Sequence, residues 1–380
     1  MITVKVVTSV RGFLKDLFDS EFSDISISYS QGGLYETNSK LKEMGSKLIK
    51  NKLFNHLGIF NIVEADVQEA VALSYNRFLH TNKPYILLLE NPLAPLHYAY
   101  GRNSTAVSKV KLNKVFTDKN LKAIVCLSDA CRDTIRNYYD TKNKKIVAIR
   151  PLVRTRFEVS ETAIKEKAHS DVLQLLYVSS RFELKGGQDI LSAFTSIENE
   201  KLKLKIICKR ETIPEKDWEI ISDHPRIQFH EFNLSKDELA KEYNSSNILL
   251  NPTRQDSFSL VVLEAMKYGN AILSSFLYAI PEMVAEGEEG YLTNPKYLIW
   301  NENNMPNPYV WTHRDKTIYS SYVDHNMVDF LVEKIVYLMN NRDVLQRMEL
   351  AAFRKANTDE FSEKGIIRRW EEVFRGAMKE

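Results

Sequence analysis

Apolar runs rich in β-branched residues recur along the chain at short spacing. "TVKVVTS", "DISISYS", "YILLLEN", "AIVCLS" and "KIVAIRP" fill the first part, and "LQLLYVSS", "KLKIICK", "RIQFHEF", "ILLNPT" and "AILSSF" the second. Several are apolar at consecutive positions, the pattern of a strand buried on both faces. Longer stretches with helical spacing lie between them, among them "DVQEAVALSYNRFL" and "DACRDTIRNYY". Apolar strands alternating with helices predict an α/β fold built on parallel, doubly wound sheets. The series is interrupted once. Residues 149–171, "IRPLVRTRFEVSETAIKEKAHSD", are polar and charged and read as a linker. Two doubly wound domains are expected, over 1–155 and 156–355, with the amphipathic "FSEKGIIRRWEEVF" as a closing helix within 356–380. Residues 296–325, rich in Asn, Pro and Tyr, read as an irregular insertion. Ligands of open parallel sheets gather at the carboxyl ends of the strands, so a cleft between two such domains is the expected site.

Composition narrows the class. A chain of 380 residues exceeds what one compact core usually accommodates. Lys and Arg number 52 against 50 for Asp and Glu, a formal net charge of +2. That balance argues against a dedicated nucleic-acid binder. No apolar run reaches the roughly 18 residues needed to span a bilayer. The opening "MITVKVVTSV" reads as a strand and lacks the layout of a signal peptide. Cys126, Cys131 and Cys208 form no CxxC pair, which suits a reducing, cytoplasmic location. Residues 40–60, "KLKEMGSKLIKNKLFNHLGIF", are basic and amphipathic. They read either as a solvated face or as peripheral contact with an anionic membrane. The histidines show no metal-ligand spacing and the chain has no Asp-x-Asp pair, so no metal is expected.

Two loops of the second domain carry the candidate chemistry. "DSFSLVVLEAMKYG" (256–269) follows the strand "ILLNPT" and is apolar almost all round, yet holds Asp256 at its start and Glu264 inside it. Asp256 or Ser257 can cap this helix, leaving amides of Phe258, Ser259 and Leu260 for ligand oxygens. Glu264, about two turns on, is placed to accept hydroxyls of a cis-diol. The plainer reading makes Asp256 an N-cap and Glu264 half of a buried ion pair. The other loop, "SSRFELKGGQDIL", puts Arg181 and Lys185 between a strand and a helix that begins near Gly186 and Gly187. A fork donor and a point-charge donor four apart in such a loop suit a diphosphate; the alternative is a solvated surface pair. Together with Asp256 and Glu264 they favour a ligand site.

These residues resemble the retaining glycosyltransferases of family 4, which have the GT-B architecture of two Rossmann-like domains. That family shows a "GR…KG" loop, an E-x7-E pair and a "GxPVIAS…GIPE…G…G" run. The matching stretches are "SRFELKGG", "PTRQDSFSLVVLEAMKYGNAILSS", "AIPEMVAEGEEGYLTNP" and "EFSEKGIIRRW", covering about 172–295 and the last twenty residues. The resemblance implies that Arg181 and Lys185 hold the diphosphate of a UDP- or GDP-sugar, that Glu264 holds its ribose, and that Asp256 contacts the donor sugar, helped by amides from Ser257 to Leu260. Arg181, Lys185 and Asp256 are then the catalytic candidates, with no cofactor beyond the donor substrate. The C-terminal helix would return toward the first domain. Glu282 in "AIPE" is read as a helix N-terminal charge.

The chain also departs from the family. Asp256 replaces the first Glu, and Ser257, Ser259 and Glu231 stand where Gly is common. The Gly-rich loop of the first domain is reduced to "SVRGF", giving Arg11, Gly12 and Phe13. Where relatives place a His after the fourth strand, "LLLENPLAPLHYAYG" offers Glu90 and Asn91, with His97 further on. Arg11, Gly12, Asn91 and His97 are the candidates on the acceptor or sugar side; a structural His97 is the competing reading. The expected activity is transfer of a sugar to a glycan, lipid-linked or protein acceptor with retention. The alternatives are a non-catalytic nucleotide-sugar or glycan-binding subunit and a GT-B-like epimerase or phosphorylase.

Overall fold

The computed structural model describes residues 1–8, 11–29, 55 and 57–379. They form two compact units, Met1–Leu152 with Asn301–Thr312 and Asp359–Glu380, and Val153–Trp300 with His313–Thr358. The strands in chain order are β1 (Ile2–Val6), β2 (Ile25–Tyr29), β3 (Ile62–Glu64), β4 (Val71–Tyr75), β5 (Phe78–His80), β6 (Tyr85–Leu89), β7 (Leu121–Cys126) and β8 (Lys145–Ala148), then β9 (Leu173–Ser179), β10 (Leu202–Cys208), β11 (Ile227–Glu231), β12 (Ile248–Asn251), β13 (Ala271–Ser275) and β14 (Gly290–Thr293). Most of the basic segment 40–60 lies outside the described residues. No helix among the described residues is long and apolar enough to cross a membrane.

In the first unit a parallel sheet runs β2-β1-β4-β6-β7-β8, and β3 pairs with β5 separately. β4 and β5 occupy "DVQEAVALSYNRFL", whose spacing predicts a helix. Every residue of Val71–Tyr75 is buried, because β4 lies inside the sheet between β1 and β6. A strand buried on both faces loses its alternation, so its apolar positions are compatible with either period. The closing helix Glu363–Ala377 belongs to this unit. Its Trp370 and Phe374 are buried, and Phe22 meets Phe374 edge-on at 6.2 Å. The Ser23 amide donates to Glu371 at 2.6 Å and Arg375 donates to the Ser23 carbonyl at 3.0 Å. Residues 301–312, expected within the second domain, also pack here; the Thr134 hydroxyl donates to the Asn304 carbonyl at 2.9 Å.

The sheet of the second unit runs β11-β10-β9-β12-β13-β14, parallel throughout. Numbered within the unit this is the order 3-2-1-4-5-6, and the winding reverses between β9 and β12. Leu175, Ile206 and Leu250 share a core with Met327, Leu331 and Ile335 of the helix His325–Asn340. A helix, Glu161–Ala168, lies in the stretch that reads as a linker. The Ser160 hydroxyl caps it, and only Ile164 and Ala168 are buried, too few apolar positions to register as a period.

Beneath the amino ends of β9 and β12 sits a buried polar group. Asn247 donates to Glu349 at 3.0 Å and accepts from the Gln174 amide at the same distance. Lys167 donates to the carbonyls of Tyr268 and Gly269 at 3.1 and 3.0 Å. Burial pushes the Glu349 carboxyl up to about 7 and the Lys167 ammonium down to about 8. A raised carboxyl binds its proton more tightly folded than unfolded, so its stabilising effect is complete below the ordinary value of 4.5 and is lost as pH rises through about 7. Glu349→Gln keeps the acceptor for Asn247 and removes the titration. Denaturant unfolding should show the variant gaining on the wild type by about 2 kcal/mol between pH 5 and pH 7.5; parallel pH profiles would refute this.

Candidate functional site

The loops after β9 and β12, the two strands that flank the reversal in winding, are joined to each other. Ser179 at the end of β9 folds its loop: its hydroxyl accepts from the Arg181 amide at 2.9 Å. Phe182 is buried under the turn, and the Tyr177 hydroxyl donates to its carbonyl at 3.0 Å. Gly186 then takes φ +72°, and a Cβ there would lie 2.3 Å from the Pro252 carbonyl oxygen. Only glycine allows both the left-handed backbone and this approach. Across the contact, the Arg254 amide donates to the Leu184 carbonyl at 3.0 Å.

Lys185 completes the junction. Its ammonium donates to Asp256 Oδ2 and to the Gln255 carbonyl, both at 2.7 Å. Asp256 Oδ1 accepts from the amides of Ser257 and Ser259 at 2.9 and 3.0 Å. Burial by itself would raise the Asp256 carboxyl; the Lys185 ammonium and the amide donors outweigh it and hold the group below its ordinary value. The Ser257 and Ser259 amides, expected to serve a ligand, are thus used by Asp256. Phe258 and Ser259 are buried, and Leu260 opens the helix Leu260–Lys267. Ser259 sits at φ +68°, a left-handed position where the family often has Gly, and its hydroxyl accepts from Asn251 at 3.1 Å.

Arg181 is exposed, and among the described residues no carboxylate forms an ion pair with it. Glu264 is half-buried and accepts from the Tyr243 hydroxyl at 2.8 Å. So Lys185, Asp256 and the helix start are brought together directly, whereas Arg181 lies in the loop after β9 and Glu264 within the helix Leu260–Lys267. Several neighbours carry no signal in the sequence. Trp300 donates from its indole to the Asp256 carbonyl at 3.3 Å and stacks on Tyr278 at 4.3 Å. Tyr319 donates to Gln255 at 3.0 Å. Arg254, beside the site in sequence, is buried in the unit: it stacks 3.7 Å over Tyr322, donates to the Tyr322 carbonyl at 2.6 Å and lies 3.6 Å from Asp189.

In the first unit the candidates lie at the carboxyl ends of β1 and β6. Arg11 is 3.4 Å from Glu90, and its guanidinium lies 5.7 Å from the Tyr75 ring centre. The hydroxyls of Tyr75 and Tyr98 donate to the two oxygens of Glu90. Glu90 therefore anchors Arg11. Asn91 accepts from the amides of Leu93 and Ala94 at 3.0 and 3.1 Å, which folds the chain into the turn Ala94–Leu96. His97 ends that turn in a left-handed conformation, φ +55°. Gly12 starts the helix Gly12–Phe18 in open space, so nothing in its surroundings demands glycine.

Residues 173–299 match the family model for glycosyl transferases group 1. The matched residues lie within the second unit. In sequence, sulfoquinovosyl transferase SQD2 of Arabidopsis thaliana is 35% identical over 65 residues, 16% of this chain and 13% of that protein. The chain matches only 13% and 16% of the length of the curated relatives it aligns with. Over the whole chain the fold is similar to a sucrose-phosphate synthase from Thermosynechococcus elongatus, with TM-score 0.62, 13% identity, and 99% and 98% of the two chains covered. It is similar as well to Anabaena HepE, solved in complex with UDP and glucose, with TM-score 0.61, 12% identity and 99% of each chain covered. The fold is GT-B. The loop geometry around Gly186 yields a direct expectation. Gly186→Ala should lower unfolding free energy by about 1–3 kcal/mol through backbone strain and the Pro252 clash, and a thermal melt that matches the wild type would contradict the geometry.

Proposed function

We propose that the protein is a glycosyltransferase that moves a sugar from a nucleoside diphosphate to a carbohydrate-containing acceptor with retention at the anomeric carbon. The observation that carries this reading is the joining of the Arg181–Lys185 loop to the start of the helix Leu260–Lys267, through Lys185 and Asp256 at 2.7 Å, beside the reversal in strand order. Ligands of doubly wound sheets bind at that place. Arg181 and Lys185 supply the cations for a diphosphate, Glu264 an acceptor for ribose hydroxyls, and Asp256 a contact for the donor sugar. Solved neighbours of the same fold hold UDP and UDP-glucose, which favours UDP over GDP as the first donor to try.

In the proposed reaction the acceptor hydroxyl oxygen bonds to the anomeric carbon while the bond from that carbon to the β-phosphate oxygen breaks. The electron pair leaves with the diphosphate, and the acceptor's proton passes to the departing oxygen on the same face. No protein nucleophile takes part. Arg181 and Lys185 neutralise the charge that grows on the diphosphate, a preorganised electrostatic contribution. The first unit is assigned the acceptor, with Arg11 and His97 as candidates; the location is proposed to be cytoplasmic.

Purified protein given a panel of nucleotide-sugars should slowly release nucleoside diphosphate from one of them. Binding without consumption would turn the reading to a non-catalytic binding subunit. Lys185→Ala and Glu264→Ala should each reduce turnover by roughly a hundredfold or more with the fold retained; normal rates in both would refute the site. Asp256→Asn tests the ion pair separately. Without its carboxylate partner Lys185 is released to the diphosphate, so UDP binding should tighten several-fold, by about 1 kcal/mol, while turnover falls. Weaker UDP binding in that variant would show that Asp256 assists rather than competes.

A further inference from the structure

Tyr243 lies outside both strand-to-helix loops and outside the family's motifs quoted above, yet it makes a hydrogen bond to one of the site residues. Its hydroxyl donates to Glu264 Oε2 at 2.8 Å. The tyrosine is held from several sides. It closes the helix Lys236–Asn244, which begins with a capping box between Ser235 and Glu238. Its ring is buried and lies parallel to that of Tyr268, with centroids 6.0 Å apart and planes at 6°. Tyr268 is fixed in turn, because its hydroxyl accepts from the Arg156 amide at 2.9 Å. The backbone of Tyr243 is pinned by Asn270, which donates to its carbonyl at 2.9 Å. Burial raises the Tyr243 hydroxyl well above its ordinary pKa, and the Glu264 carboxylate adds to the shift, so the group stays a donor throughout the working pH range.

A glutamate's terminal torsion is broad, and a carboxylate on its own would sample many planes. A rigid donor at one oxygen removes that freedom. It uses one of about four acceptor directions and sets the plane in which the others lie. We propose that Tyr243 is the positioning residue that makes Glu264 selective for a ribose: it orients the carboxylate so that the 2′ and 3′ hydroxyls of a nucleoside diphosphate are accepted together. The inference rests on the reading of this site as a nucleotide-sugar site. It assigns the choice between ribo and deoxyribo nucleotides to a residue that acts through Glu264.

The test compares binding of UDP, GDP and their 2′-deoxy forms by calorimetry. The wild type should prefer a ribonucleotide over its deoxy counterpart by about tenfold, the range for a hydrogen bond to a charged group. Tyr243→Phe keeps the ring stack and removes the donor; its preference should fall to about twofold, with deoxynucleotide affinity little changed. Tyr268→Phe loses a hydroxyl that faces Arg156 and should retain the full preference. If Tyr243→Phe does not fold by circular dichroism, Tyr243→Met, a flexible apolar filler, carries the same expectation. A variant that binds nucleotide and keeps the wild-type ratio overturns this inference alone. A wild type that binds none of the four nucleotides overturns the nucleotide-sugar reading and this one with it.

Discussion

The Lys185–Asp256 pair is the contact on which the arrangement of the candidate site depends. Its side chains are 25% and 19% exposed, so water still reaches both. A pair of that kind contributes about 1 kcal/mol or less to stability. Its value is geometric. Asp256 spends one oxygen on Lys185 and the other on two amides, while Lys185 also takes the Gln255 carbonyl. One ammonium and one carboxylate thereby set the relative position of two loops that leave different strands. Under the proposed function, a diphosphate entering this site would meet a cation that is already satisfied and would have to replace Asp256 as the partner of Lys185. In that proposal, donor binding and release of Asp256 toward a sugar hydroxyl would become one event, which a preformed vacant cation would not provide.

The backbone around the pair holds more strain than the remainder of the sheet requires. Gly186, Ser259 and Tyr278 all lie at positive φ, and for the two that are not glycine this costs about 1–2 kcal/mol each. The surroundings offset that cost. Asn251 at the end of β12 donates to the hydroxyls of both Ser259 and Ser274, tying the helix start to β13. Trp300 covers Tyr278 and holds the Asp256 carbonyl. Strain retained at the carboxyl ends of adjacent strands, with polar side chains arranged to support it, marks where the unit has been shaped for something other than stability.

Much of this was legible in the order of residues. Buried parallel strands read as apolar runs, so β1, β2 and β6 through β13 were visible, and with them the two doubly wound units. The spacing in "SRFELKGG" and "DSFSLVVLE" locates both loops. What sequence could not carry was the set of contacts between distant residues. That residues 301–312 pack with the first unit depends on contacts such as Thr134 with Asn304. That Asp256 uses the amides of Ser257 and Ser259 depends on the left-handed turn at Ser259, which the residue type hides because Gly, not Ser, is the usual signal. β4 is hidden by its complete burial, and Tyr243 stands outside the quoted motifs, so its contact with Glu264 has no sequence signal.

Two of the second unit's polar clusters lie at opposite edges of its sheet, and their positions decide between them. Glu349 and Lys167 show the larger departures from ordinary pKa, which taken alone would nominate them as functional groups. They lie beside Asn247, at the amino ends of β9 and β12. At that edge the helices that follow the strands end, so it presents helix C-termini, which repel anions. The opposite edge presents helix N-termini, the exposed Arg181 and the Lys185 ammonium, with the Asp256 charge balanced by Lys185 and two amides. An anionic ligand is attracted to the second edge and excluded from the first, even though the first holds the more perturbed groups. Perturbation at the amino edge reflects burial of a carboxylate with one oxygen that has no hydrogen-bond partner among the described residues; at the carboxyl edge, cations and helix N-termini meet at an exposed surface.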